Sequence, residues 1–253
     1  MHKIAFIVPL LLSLLLPLEN KAQDIPLLLK EAHQFEIKFQ DKESLNKYLE
    51  ILRLQPNHLK ALAKSSELHA ILGRRQPSKE KQADYYNTAK SYAQHALRIN
   101  SNNAEANFAM AFALGRIALI SSGEERMKAV KDIRTYAERT IQLDPNHYKA
   151  YTVMGRWHYE VSNLNTVERW LLRVAYGTLP KSSLELSIRN YEKSKQLNAG
   201  FLLNYLELAK AYNRKEDERK ARELLTIMMK LPPTSSNDAT IKMEGKKLLE
   251  EME

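Results

Sequence analysis

Apolar residues recur along this chain at helical spacing, in blocks punctuated by Asn, Pro and Asp. The clearest block is LDPNHYKAYTVMGRWHY, residues 143–159. One helix should end at Asp144-Pro145, since proline lacks the N–H that a helix interior needs, and the next begins just after it. The second helix carries Tyr151, Met154, Gly155 and His158 on one stripe. Large, large, small, large is an order that lets a neighbouring helix come within about 8–10 Å. Similar punctuation falls at Pro56, Ser101, Ala199 and Pro233, giving intervals of 45, 44, 54 and 34 residues around Pro145. The pattern predicts an all-α chain of about ten helices, paired antiparallel.

The last interval equals the period of the tetratricopeptide helix pair, 34 residues. Tyr205, Leu208, Ala209 and Tyr212 take its packing positions on the first helix, and Ala221, Leu225 and Met228 those on the second. Upstream, the stripe of 143–159 pairs with Ser187, Tyr191 and Ser194. Asn107, Met110, Ala111 and Leu114 pair with Ile133, Ala137 and Thr140. Ala89, Ala93 and Ala96 mark another second helix, and Tyr48 and Ile51 the first. Its opening helix should run from Pro26 to Gln40. The longer intervals imply longer helices or insertions at 73–81, 121–125 and 164–181. Thr240–Met252 reads as an amphipathic cap, with Ile241, Leu248, Leu249 and Met252 inward, because a solenoid must end its core with a polar-backed helix. The expected layout is residues 24–235 as solenoid, with its insert near 164–181, and 236–253 as cap.

Residues 1–23 differ from the rest. His2 and Lys3 precede Ile4–Leu18, an uncharged Leu-rich run broken by Pro9 and Pro17, and Glu19–Gln23 follows. This is the layout of a secretory signal, too short for a bilayer span of about 20 residues, with cleavage expected near Ala22 or Gln23. With no Asn-X-Ser/Thr acceptor in the sequence, the expected location is the bacterial periplasm or the exterior, with no membrane span left after cleavage. Absence of cysteine excludes disulfides, thiolate metal sites and cysteine nucleophiles. The net charge of +9 raises nucleic acid as a partner, but Lys and Arg are scattered in runs no longer than two, without the basic stripe such binding uses.

Two segments, GRWHYEVSNLNTVERWLLRVAYGTLPKSSLELSIRNYEKSKQLN and NYLELAKAYNRKEDERKARELL, resemble the regulator of microtubule dynamics proteins. The similarity rests on Gly155-Arg156-Trp157, then Gly177, Thr178 and Pro180 closing the insert, then Tyr191, and it covers roughly residues 100–250. It implies a monomeric or weakly associating helical adaptor without catalytic residues or cofactor. It also implies, as an alternative to export, a cytoskeleton-associated regulator anchored by its N-terminus.

Candidate chemistry is sparse. His58 and His147 both follow Pro-Asn and read as repeat punctuation, and no His pair has the i, i+4 spacing of a helical metal site. Ser44-x-x-Lys47 and Ser78-x-x-Lys81 match a hydrolase spacing but lack its partner motifs. No Gly-rich phosphate loop is present. Trp170, Leu171, Leu172 and Val174 should pack the insert onto the solenoid. The groove-facing positions of the first helices are more informative. They hold Lys60 and Glu67, then Glu105, Phe108, Phe112 and Arg116. Lys149, Thr152, Arg156, Tyr159 and Glu160 follow, then Lys210, Asn213 and Arg214. A basic residue recurs in each unit, with aromatics beside it in the middle two. Such a groove suits a protein or peptide partner bearing carboxylates, which Arg and Lys bind by charge-assisted hydrogen bonds.

Overall fold

The computed structural model describes residues 20–252, with side chains from Ile25 onward. Among the described residues the chain forms twelve α-helices and no strand. They run as antiparallel pairs: α1 (Asn20–Ile37) with α2 (Asp41–Leu54), α3 (Leu59–Gly73) with α4 (Lys79–Ile99), and α5 (Ala104–Ile120) with α6 (Gly123–Leu143). Then α7 (Tyr148–Val161) pairs with α9 (Leu184–Leu197), and α10 (Leu202–Arg214) with α11 (Glu218–Lys230). Between α7 and α9 lies α8 (Thr166–Tyr176), and α12 (Asp238–Glu250) closes the array against α10 and α11.

The count exceeds about ten because the insert folds as a helix of its own. The apolar run Ile4–Leu18, on which the export reading rests, lies outside the described residues. The opening helix begins at Asn20 rather than Pro26 and ends at Ile37, before Gln40. The intervals of 45 and 44 come from helix length, since α4 and α6 each have 21 residues and only Ser121 and Ser122 separate α5 from α6, whereas the interval of 54 holds the insert helix α8.

The packing stripe read from the spacing is the core. Ala89, Ala93, Ala96, Ala111, Ala137, Ala209 and Ala221 are fully buried, as are Tyr191, Leu208, Leu225 and Met228. Of the helix-pair packing positions only Tyr151 is half-buried, while on the cap Ile241 is buried and Leu248, Leu249 and Met252 are half-buried. Buried hydrogen bonds join helices within and between pairs: the Ser187 hydroxyl donates to the Gly155 carbonyl at 2.7 Å inside the α7–α9 pair, and Asn204 Nδ2 of α10 donates to the Tyr191 carbonyl at 2.8 Å. Asn204 Oδ1 in turn accepts from Thr152 Oγ1 at 2.8 Å. These bonds satisfy buried groups that would otherwise destabilise the joints within and between pairs.

The Pro-Asn-His punctuation has a local cause. His58 Nδ1 accepts from the Ala61 N–H at 3.1 Å, and His147 Nδ1 from the Ala150 N–H at 3.2 Å. Each imidazole caps the first turn of its helix, the role Ser or Asp plays elsewhere. Ser78 is a cap too, accepting from the Lys81 N–H at 3.2 Å. Ser44 is fully buried, and Lys47 is held by Glu31 at 2.8 Å and Glu50 at 3.3 Å.

The insert departs from expectation. It lies on α6, where Arg126 pairs with Glu168 and Lys131 Nζ donates to the Ala175 carbonyl at 2.7 Å. Leu172 is buried and Leu171 packs against the same cluster, but Trp170 is 60% exposed and Val174 64%. A helix resting on a single neighbour buries one stripe. Trp170 and Val174 stand with Val167 on the opposite one, at i, i+3 and i+7 spacing.

Candidate functional site

α3, α5, α7 and α10 follow one another as the inner row of the solenoid. The row curves until its two ends touch: Arg74, just after α3, meets Glu244 of α12 at 2.8 Å, and Arg75, which also pairs with Asp41 of α2, donates to Asn237 Oδ1 beside α12 at 3.2 Å. Inside the bend lies a cavity of about 360 Å³, walled by α5, α6, α7 and α10, with Arg74 and Glu244 at its rim. Its size falls at the lower end for small-ligand sites.

The wall is apolar on one side and charged on the other. Phe112, Leu119, Val130, Ile133, Val153 and Trp157 supply the apolar surface. Small residues make the room, since Ala111, Gly115 and Ala118 of α5 also line it. Trp157 is fixed by its indole N–H, which donates to the Val130 carbonyl at 2.8 Å. The charged side carries Arg74, Arg116, Arg126, Arg156 and Lys210 together with Glu160, Glu207 and Glu244. Lys210 lies 3.2 Å from Glu207 and 3.7 Å from Glu244, while Arg156 approaches Glu160 only to 3.9 Å. Burial disfavours the charged form of Arg156, yet Glu207 and Glu160 more than offset this and raise its pKa. For Arg116 burial dominates, and repulsion from Arg74 and Arg156 adds to it, so its pKa is pushed down to about 10. At neutral pH it is still a cation. Its guanidinium lies over the Phe112 ring, 4.8 Å from the centroid.

Four of the nine residues read as groove ligands from the sequence thus meet in this cavity: Phe112, Arg116, Arg156 and Lys210. The other five are elsewhere. Lys149 Nζ is 3.1 Å from buried Glu67 of α3 and sits over the ring of buried Phe108, 5.5 Å from its centroid. Arg214 donates to the carbonyls of Tyr159 at 2.9 Å and Ser162 at 3.3 Å, and stacks on the Tyr159 ring at 4.9 Å. It thereby closes the C-terminal end of α7, where cations are favoured. Lys60 is exposed in the first turn of α3. The site also contains groups that the groove positions did not reveal: Arg74 just after α3, Glu207 from the middle of α10, Glu244 from the cap, and Val130 and Ile133 from α6.

This architecture is that of a tetratricopeptide-like solenoid. A thermophilic tetratricopeptide protein of Thermus thermophilus, TTC0263, superposes with a TM-score of 0.64 at 11% identity, over 89% of this chain and 98% of that one. Pseudomonas aeruginosa PilF superposes at 0.53 and 12% identity, over 92% and 87%. At such identities the likeness is one of fold. The family model described as regulator of microtubule dynamics protein 1-3 matches residues 28–253, and the chain belongs to that family. The match extends well upstream of the region where the sequence resemblance is specific. Regulator of microtubule dynamics protein 1 of Caenorhabditis elegans is 29% identical over 118 residues, 47% of this chain and 52% of the relative. Protein 2 of Rattus norvegicus is 24% identical over 166 residues, 65% and 40%. The chain therefore spans about half, or less, of the length of these relatives. Among the described residues no helix is long and apolar enough to cross a membrane.

Proposed function

We propose that this chain is a non-catalytic scaffold that binds a protein partner through an extended peptide segment in the cavity between α5, α7 and α10. The observation that carries this is the cavity itself, an apolar wall facing five cationic side chains, Arg74, Arg116, Arg126, Arg156 and Lys210, on the concave side of a solenoid. Extended peptides use such concave surfaces, with side-chain pockets for selectivity and cations for carboxylates. A photo-reactive amino acid at Leu119, exposed at the cavity, should form an adduct with the partner peptide, whereas one at Ile227, exposed on α11, should not. Equal adducts at both positions, or none at Leu119, reject the cavity as the binding surface.

Family membership favours a second reading, a regulator associated with the cytoskeleton and held in place by its N-terminus. Co-sedimentation with polymerised tubulin tests it directly, and no tubulin-dependent pelleting at micromolar concentration rejects it. N-terminal sequencing of the protein from its native host separates anchoring from export. An intact Met1–Leu18 supports the anchor, and a start near Gln23 supports a secreted or periplasmic scaffold.

A further inference from the structure

One cation in the cavity differs from the rest. Arg74 pairs with Glu244 at 2.8 Å, Lys210 with Glu207 at 3.2 Å and Arg126 with Glu168, and Arg156 has Glu160 at 3.9 Å. Arg116 has no carboxylate within ion-pair distance among the described residues. Its Nε is buried without a hydrogen-bond partner, and two of the charges around it are the like-signed Arg74 and Arg156. The Phe112 ring covers one face of the guanidinium but accepts none of its N–H bonds in the plane. The side chain is half-buried, but its Nε is cut off from water with no acceptor, which is destabilising, and an anion bound there would complete its hydrogen bonding.

The surroundings limit that anion. Glu160, Glu207 and Glu244 line the same cavity, so a phosphate dianion or a run of acidic side chains would face three carboxylates of like sign. A single carboxylate meets one open guanidinium and no further demand for charge. Next to it the wall of Val130, Ile133 and Trp157 takes an apolar group. The volume, about 360 Å³, accommodates one or two residues and not a folded surface.

We infer that the cavity takes the free C-terminal carboxylate of a partner chain whose last residue is large and apolar. The carboxylate lies on Arg116, and the terminal side chain packs on Val130, Ile133 and Trp157. This rests on the peptide-binding reading above and narrows it from an acidic segment to a chain terminus.

The test uses the full chain and fluorescein-labelled octapeptides with a neutral Gly/Ser body ending in Leu, Phe, Ser or Lys, each made as free acid and as carboxamide. Two further probes are a Leu-ended carboxamide with an internal Asp-Glu pair, and dodecanoate. Fluorescence polarisation should show the Leu and Phe acids binding at least about tenfold tighter than their carboxamides, the worth of a charge-assisted hydrogen bond. R116Q should erase that difference with helicity intact, and R116K should keep part of it. Acids and carboxamides binding alike would overturn the terminal-carboxylate site while leaving peptide binding in the cavity standing. Equal binding of the Asp-Glu carboxamide would show instead that acidic side chains are read. Dodecanoate binding through Arg116 with no peptide bound, or no probe bound at all, would overturn both readings. Should R116Q fail to fold, the comparison of acid with carboxamide on the unaltered chain decides alone.

Discussion

Gly155 and Gly115 both lie inside inner-row helices, and alanine at each should move stability in opposite directions. A Cβ on Gly155 would stand 2.6 Å from Cδ1 and Cε1 of Tyr191 and 2.9 Å from its Cγ. Carbon atoms pack best at about 3.5–4.0 Å, so the overlap is on the order of 1 Å against a ring that is fully buried and cannot turn aside. Overpacking of this kind costs about 1–3 kcal/mol. Pushing α9 outward also stretches the hydrogen bond from Ser187 to the Gly155 carbonyl, a loss of about 1 kcal/mol. Alanine regains about 1 kcal/mol as the better helix former. The net expectation for G155A is a destabilisation of about 2 kcal/mol. Gly115 has nothing within 4 Å of its added Cβ, so G115A keeps only the helix-propensity gain, about 0.5–1 kcal/mol. Urea titration followed by circular dichroism measures both. Because solenoids can open unit by unit, hydrogen exchange at α7 and α9 should locate the G155A effect. G155A within about 0.5 kcal/mol of the parent, or G115A destabilised to the same degree, would refute the close meshing of α7 with α9.

Removing the uncompensated charge by R116M should raise the stability of the free protein by about 1–2 kcal/mol, seen as a higher thermal midpoint; a lower midpoint would mean Arg116 already has a partner. For the ion pair of Glu67 and Lys149, either E67L or K149M alone should cost about 2–3 kcal/mol, the low side of the usual range because Lys149 is 34% exposed. The double variant should recover most of that in a urea double-mutant cycle, and simple additivity would rule out the coupling. Burial, then neighbouring Arg134, pushes the pKa of His158 down to about 4. The unfolded chain thus takes up a proton near pH 6.5 that the native chain refuses, and stability falls as pH drops from there towards 4. H158Q should make this part of the profile shallower, and an unchanged slope would assign the loss to other groups. The contact between the solenoid's ends uses the partly exposed Arg74–Glu244 ion pair and the hydrogen bond of Arg75 to Asn237, so R74A with R75A should cost under about 1 kcal/mol each yet raise the radius of gyration in small-angle scattering. An unchanged radius would show that the cap holds the bend by itself.

The helices and their buried stripes were legible because they repeat. Ala89, Ala93 and Ala96, or Tyr205, Leu208 and Ala209, announce their face by spacing alone, and that spacing survives intervals from 34 to 54 residues. The insert was legible as an insert but not in orientation. Apolar content from Trp170 to Tyr176 suggested an inward-facing segment, whereas contact with α6 alone buries only the side bearing Leu172 and Leu171. Groove positions were legible as positions, yet their roles were not. What holds several of the cations lies far along the chain: Glu67 is 82 residues from Lys149, the Tyr159 carbonyl is 55 from Arg214, and Glu244 is 170 from Arg74. No periodicity encodes those distances.

The same inner row therefore holds cations of two kinds, and the difference between them separates scaffold from site. Lys149 has burial opposing its charge, yet the Glu67 carboxylate outweighs that and raises its pKa. The pair is electrostatically closed and ties α7 to α3 across an intervening helix pair, which leaves it little to offer a ligand. Arg214 is closed as well, by two carbonyls at the end of α7. Arg116 is the open case. Its pKa moves down because burial and like charge both act against it, with only weaker attraction from Tyr86 and Glu207 in return. A ligand carboxylate would supply what Glu67 supplies to Lys149, and the stability gained on binding is the stability the free chain forgoes. Binding should therefore raise the thermal midpoint of the unaltered chain with the logarithm of ligand concentration above the Kd, and leave that of R116M unmoved. A ligand that stabilises R116M to the same extent would place the open charge elsewhere than at Arg116.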